Sequence, residues 1–177
     1  MRRFLDRLYA VSGVLAAVCL ALIAVVMLLQ AGMREFGMLL RGADDVVSWL
    51  CAGSAFLALG HTFRRGELVR VGLLIDALPA GIRRVVGVAA LAIAVLFAGY
   101  MSYAVLLFVY ESWRLNELAQ GLIQIPIWIP QMSFAVGAVI FFVAVLDEFI
   151  TLARGRTPAF EAAELERRQR KDFSESL

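Results

Sequence analysis

VLAAVCLALIAVVMLL, Val14–Leu29, has no polar side chain other than Cys19. It forms the core of an apolar run from about residue 8 to residue 33. A helix that crosses a bilayer needs about 20 mostly apolar residues. Three further runs are of the same kind, at about 46–63, 85–110 and 127–146. The second is the shortest and holds Ser48 and Ser54, the third is longer than a bilayer core of about 30 Å requires, so it must tilt or protrude, and the fourth starts among Pro126 and Pro130, where a missing backbone N–H costs least.

Composition agrees. The 177 residues are 62% hydrophobic and 18% charged, against about a quarter charged in ordinary soluble domains. The sequence predicts an all-α membrane protein with four transmembrane helices in a domain over 1–155. A polar tail follows over 156–177, with Glu164–Arg168 and Glu166–Arg170 spaced for i,i+4 pairing. The first run follows MRRF, but Asp6 and its length favour a retained span over a cleaved leader. Cys19 and Cys51 lie in apolar runs and are expected to be small buried side chains.

Basic residues alternate along the chain. The first, third and fifth polar segments carry three, five and six of them, against two and one in the others. Cytoplasmic loops collect arginine and lysine. This places both termini and the middle loop in the cytoplasm. Asp44 and Asp45 then open the second helix and Arg64 and Arg65 close it, in the sense that suits the helix dipole. In the middle loop, Leu68, Val71, Leu74, Ile75 and Leu78 share one helical face. A short amphipathic interfacial helix over 67–78 fits this spacing; a polar loop with some buried leucines is the alternative.

Catalytic equipment is not visible. The pattern GxxxxGK[ST] is missing, Lys171 is the only lysine, and the single histidine, His61, cannot form a bis-histidine haem site within one chain. The sequence therefore reads as no enzyme and as needing no cofactor or metal. Span centres are Ala, Val, Leu, Ile and Phe, whereas a helix set that carries its own substrate needs polar groups at mid-depth. Small residues do repeat every four positions: Gly13, Ala17 and Ala21; Ala90, Ala94, Ala98 and Ser102; Ser133 and Gly137. Such stripes allow close helix contact, inside the chain or with a partner. Trp49, Tyr110, Trp113 and Trp128 mark the outer interface.

Three stretches carry a family resemblance: RGADDVVSWLCAGSAFLALG, Arg41–Gly60; RRGELVRVGLLIDALPAGIRR, Arg64–Arg84; and IPIWIPQMSFAVGAVIFF, Ile125–Phe142. In order and spacing the chain resembles the small membrane subunit, DctQ-like, of tripartite ATP-independent periplasmic (TRAP) transporters. It departs from that pattern in having aspartates at 44 and 45 where glutamates are usual. Leu68 and Gly72 also stand where a histidine and an aspartate are common.

The resemblance implies a non-catalytic scaffold in a bacterial inner membrane. Its partners would be a large multi-span membrane subunit, a periplasmic substrate-binding protein and membrane phospholipids, with no nucleic acid. Uptake of an organic acid would be driven by an ion gradient. Asp44 and Asp45 would touch the large subunit or the binding protein, or only cap their helix. Arg64, Arg65, Gly66 and Arg70 would meet lipid phosphates or the partner, or only fix topology. Pro126, Trp128 and Pro130 would make a rigid corner against a partner, or only start and anchor a helix. Two other readings stand beside this one: a self-sufficient four-helix channel or efflux unit that oligomerises, and a redox anchor with ligands shared between chains.

The topology is testable by labelling. In a background lacking Cys19 and Cys51, a cysteine at Leu118 should react with an impermeant maleimide added to intact cells. A cysteine at Arg154 should react only after permeabilisation. The reverse pattern would invert the orientation.

Overall fold

The computed structural model describes residues 2–65 and 79–155. The interfacial segment expected at 67–78, with Gly66 and Arg70, and the tail 156–177 lie outside the described residues. Four helices account for most of what is described: α1, Arg2–Glu35; α2, Ala43–Arg64; α3, Ala80–Arg114; and α4, Trp128–Ala153. Each is long and apolar enough to cross a membrane. Each overlaps one of the four apolar runs, with α4 starting one residue after the fourth run begins. The outer two are the longest, with 34 residues in α1 and 35 in α3. At ~1.5 Å per residue each reaches about 50 Å, well beyond one bilayer core.

Helix ends follow local rules. Gly37 has φ +70°, and the amides of Gly37 and Met38 bond back to the carbonyls of Arg34 and Met33. This left-handed stop uses carbonyls that the end of α1 leaves unpaired. Asn116, with φ 51°, closes α3 in the same manner.

The central contact is between α2 and α4, which run parallel. Gly53 faces Ser133, and Gly60 faces Ile140. Phe56 packs on Phe134 with ring centroids 5.7 Å apart, and Phe63 meets Phe141 edge-on at 5.8 Å. The tightest point is Gly137. A Cβ there would lie 2.5 Å from the carbonyl carbon of Phe56 and 2.7 Å from the amide nitrogen of Leu57. Glycine is needed because the backbone of α2 occupies the space of a side chain.

The other two helices attach outside this pair. α1 runs antiparallel to α2, as the contacts Asp6–Arg64 and Gln30–Asp44 show. α3 runs antiparallel to α4, with Gly87 near Leu152 and the Ser102 hydroxyl donating to the Ala138 carbonyl at 3.0 Å. α1 touches α4 only briefly, and α2 and α3 share no packed interface. The helices thus stand in a row, α1–α2–α4–α3, and α4 is the most enclosed. The core consists mainly of Tyr9, Phe63, Leu91, Ala98, Ile140, Ala144 and Val145.

This arrangement sorts the small-residue stripes between inner and outer faces and corrects the expectation that both cysteines are buried. Ser133 and Gly137 do line a helix contact, and Ala98 and Ser102 are buried, but Ala90 is exposed. On α1 only Gly13 faces a neighbour, while Ala17 and Ala21 point away; the buried stripe is Tyr9, Ser12 and Ala16. Cys51 is exposed and Cys19 only half-buried. A helix with one main neighbour covers one narrow stripe, so apolar residues elsewhere on it stay outside.

Gly137→Ala should destabilise the chain by about 1–3 kcal/mol, through overpacking against the α2 backbone. Gly32→Ala, where nothing lies within 4 Å, should be near neutral. Thermal unfolding in mild detergent, followed by helical circular dichroism, measures both.

Candidate functional site

Polar side chains gather at the two ends of α2. From Asp44 to Arg64 the helix rises about 30 Å, which matches the hydrocarbon thickness of a bilayer. Each end ties a different pair of elements together.

At the first end, Gly42 precedes α2 with φ +83°, and the Ile123 side chain packs against it. A Cβ on Gly42 would come within 2.5 Å of Ile123 Cγ1. Three residues further, the Asp45 carboxylate accepts the amides of Leu122 at 2.7 Å and Ile123 at 3.1 Å. Gly121 packs directly against the same carboxylate. One side chain at the start of α2 therefore fixes the loop between α3 and α4. Within that loop the Ala119 amide bonds to the Ile125 carbonyl, and the Ile127 amide to the Glu117 carbonyl. Leu118 and Pro126 form an isolated antiparallel bridge.

Asp44 turns the other way and accepts from Gln30 Nε2 of α1 at 3.1 Å. Neither aspartate caps α2 through its side chain. Both still lie in its first turn, where negative charge suits the dipole. Of the three corner residues, Pro126 is exposed, while Trp128 and Pro130 are half-buried in the first turn of α4.

At the second end, Arg64 points into the row and is 19% exposed. Its Nη2 lies 2.5 Å from Asp6 of α1, and Nη1 lies 3.8 Å from Asp147 of α4. Its guanidinium also covers the Tyr9 ring, 5.0 Å from the centroid. One turn back, His61 Nδ1 is 3.1 Å from the Tyr9 carbonyl, a contact in which the ring N–H donates. The same ring fills the space beside Gly13. Glu148 is buried next to Asp147. Arg65, by contrast, is exposed.

Of the residues the sequence singled out, Asp44, Asp45, Arg64 and Arg65 stand at the ends of α2, Trp128 and Pro130 in the first turn of α4, and Pro126 just before it. The sequence alone did not identify their internal partners, Gln30, Asp6, Tyr9 and Asp147. A signal was present: charge alternation puts Asp6, Arg64 and Asp147 at one membrane face, where opposite charges can pair. These groups act as struts between helices. Among the described residues, no group of three or more His, Cys, Asp or Glu side chains is placed to hold a metal ion.

Residues 23–155 match the family model described as Tripartite ATP-independent periplasmic transporters, DctQ component. The match takes in α2, α3 and α4 entirely and α1 from Ile23 onward. The Asp45 clamp lies inside it, and Asp6 and Tyr9 lie outside. No curated protein matches the chain.

Asp45→Ala should free the Leu122 and Ile123 amides. The loop over 115–127 should then become much more sensitive to protease, while the four spans stay inserted. Arg64→Ala should cost about 1–3 kcal/mol, between the surface and buried limits for broken ion pairs. Arg64→Lys should recover part of this, because a point charge replaces the fork but cannot reproduce its geometry. Detergent unfolding midpoints test this pair of variants.

Proposed function

The chain belongs to the DctQ component family of tripartite ATP-independent periplasmic transporters, and on that premise we propose that it is the small, non-catalytic scaffold subunit of such a system. In this reading it pairs with a large multi-span membrane subunit. That subunit carries an organic acid, delivered by a periplasmic binding protein, down an ion gradient's pull. The family match carries the proposal. The packing is consistent with it: Leu57, Ala98, Ala135, Ala138, Ile140 and Val145 fill the middle of the row with apolar atoms. Asp44, Asp45 and Arg64 at its ends are engaged with neighbouring elements.

The same reading assigns surfaces. The end built around Asp44 and Asp45 is the periplasmic one and meets the large subunit or the binding protein. Asp45 contributes by holding the α3–α4 loop in one shape, and Pro126, Trp128 and Pro130 stiffen its exit. Around them Phe36, Leu39, Leu118 and Leu122 are exposed apolar side chains suited to a protein contact. At the cytoplasmic end Arg65, with Gly66 and Arg70, contacts lipid phosphates or the partner, while Arg64 braces the helices. Both termini are cytoplasmic. The outward faces of α1 carry Val14, Leu22, Val25 and Leu28, which suits lipid or protein and not the polar lumen of a self-sufficient channel.

Expression with neighbouring genes, extraction in mild detergent and mass identification of what is retained is the direct test. A one-to-one partner with many spans is expected. A lone chain, or a homo-oligomer without a large subunit, would overturn the proposal. Asp44→Ala combined with Asp45→Ala should lower uptake at unchanged membrane insertion; uptake at the wild-type level would remove the pair from any essential role.

A further inference from the structure

Because α2 and α3 both pack on α4 but not on each other, a groove runs over α4 between them. Near the Asp45 end it becomes a cleft of about 220 Å³, lined by Trp49 and Ala52 from α2, Phe108 from α3, and Pro130 and Phe134 from α4. The cleft continues into a hollow of about 410 Å³, where Phe108, Ile127 and Gln131 are shared and Glu117, Leu118 and Gln120 form the outer wall. The larger space is within the ~300–1,000 Å³ typical of ligand pockets. One arm is therefore apolar and lies among membrane spans, while the other is mixed, with Glu117, Gln120 and Gln131 beside Phe108, Leu118 and Ile127, and lies at the helix ends.

Gln131 sits at the junction. It is 5% exposed, and its Oε1 has no hydrogen-bond partner among the described residues. A buried carbonyl of this kind calls for a donor. Glu117 stands in the outer wall, where its Oε2 accepts from the Ser112 hydroxyl at 3.1 Å and leaves further lone pairs for a second donor. A carboxylate and an amide oxygen around one hollow favour a cation that carries N–H groups. The apolar arm beside them favours an alkyl chain.

We infer that this groove is a binding site for one phospholipid with a primary ammonium headgroup. One of its two acyl chains lies along Trp49, Ala52, Phe108 and Phe134, and its ammonium donates to Glu117 and to Gln131 Oε1. The headgroup level is set by the same helix ends that place Trp128 and the Tyr110–Trp113 pair, whose rings are 6.0 Å apart. A quaternary ammonium offers the charge without N–H donors, and a glycerol headgroup offers donors without the positive charge. The site therefore discriminates among phosphatidylethanolamine, phosphatidylcholine and phosphatidylglycerol.

Native mass spectrometry of the full chain in mild detergent, titrated with each of these three lipids, tests the site. One phosphatidylethanolamine should stay bound per chain, with about tenfold preference over the other two, the size of one charge-assisted hydrogen bond. Glu117→Gln keeps an acceptor for Ser112 and should abolish the preference. Ala52→Phe should fill the apolar arm and lower retention of all three. Should Ala52→Phe fail to fold, Glu117→Gln at an exposed position still decides the matter. Equal retention of the three lipids, unchanged by Glu117→Gln, would reduce the groove to ordinary annular lipid and overturn the inference. Loss of the bound lipid when a large membrane protein copurifies would also overturn it, and would assign the groove to that protein.

Discussion

The contact of Gly137 with the backbone at Phe56 and Leu57 is the point on which the rest of the structure depends. Lipid is as apolar as leucine, so burying leucine between helices gains little there. Association must come from close packing and from hydrogen bonds. Glycines at 53, 60 and 137 let α2 and α4 approach until side chains of one helix rest on the backbone of the other. Once this pair is in place, α1 has one flank to pack on and α3 has the other. The resulting row has a mainly apolar middle, where the Ser102 hydroxyl donates across to the backbone of α4.

At the ends of the row, the balance of forces changes. Near headgroups, charges need not be fully desolvated, and a carboxylate can hold backbone amides at moderate cost. Asp45 does this for the α3–α4 loop, and Arg64 joins three helices through Asp6, Tyr9 and Asp147. Both residues belong to α2. Its length, 22 residues, places them about one hydrocarbon thickness apart, so a single helix couples the two membrane faces.

The four spans were legible because apolar runs such as Val14–Leu29 admit few other readings, and quoted motifs around Asp44, Arg64 and Trp128 led to the family. The spatial order of the helices was not legible, since apolar sequence does not say which flank a helix turns to its neighbour. The α1 stripe shows the difficulty. Gly13, Ala17 and Ala21 repeat every four residues, and steps of four drift about 40° each around a helix. The face that packs alternates steps of three and four, through Tyr9, Ser12, Ala16 and Cys19. Arg64 illustrates a second limit: counting it as a topology signal passes over Asp6 and Asp147 at the same end, which draw it inward. Gln131 illustrates a third, because a lone glutamine in the first turn of a helix carries no pattern at all.

The spatial order α1–α2–α4–α3 differs from the order of synthesis. When α3 leaves the ribosome, the helix it packs on does not yet exist. α1 and α2 can form a hairpin at once, held at both ends by Gln30–Asp44 and Asp6–Arg64, but α3 must wait in the bilayer until α4 arrives to separate it from α2. Among the described helices the last to be made is thus the keystone, and a chain cut short before it would hold a paired hairpin and a stray span, with an unclamped loop in place of a corner.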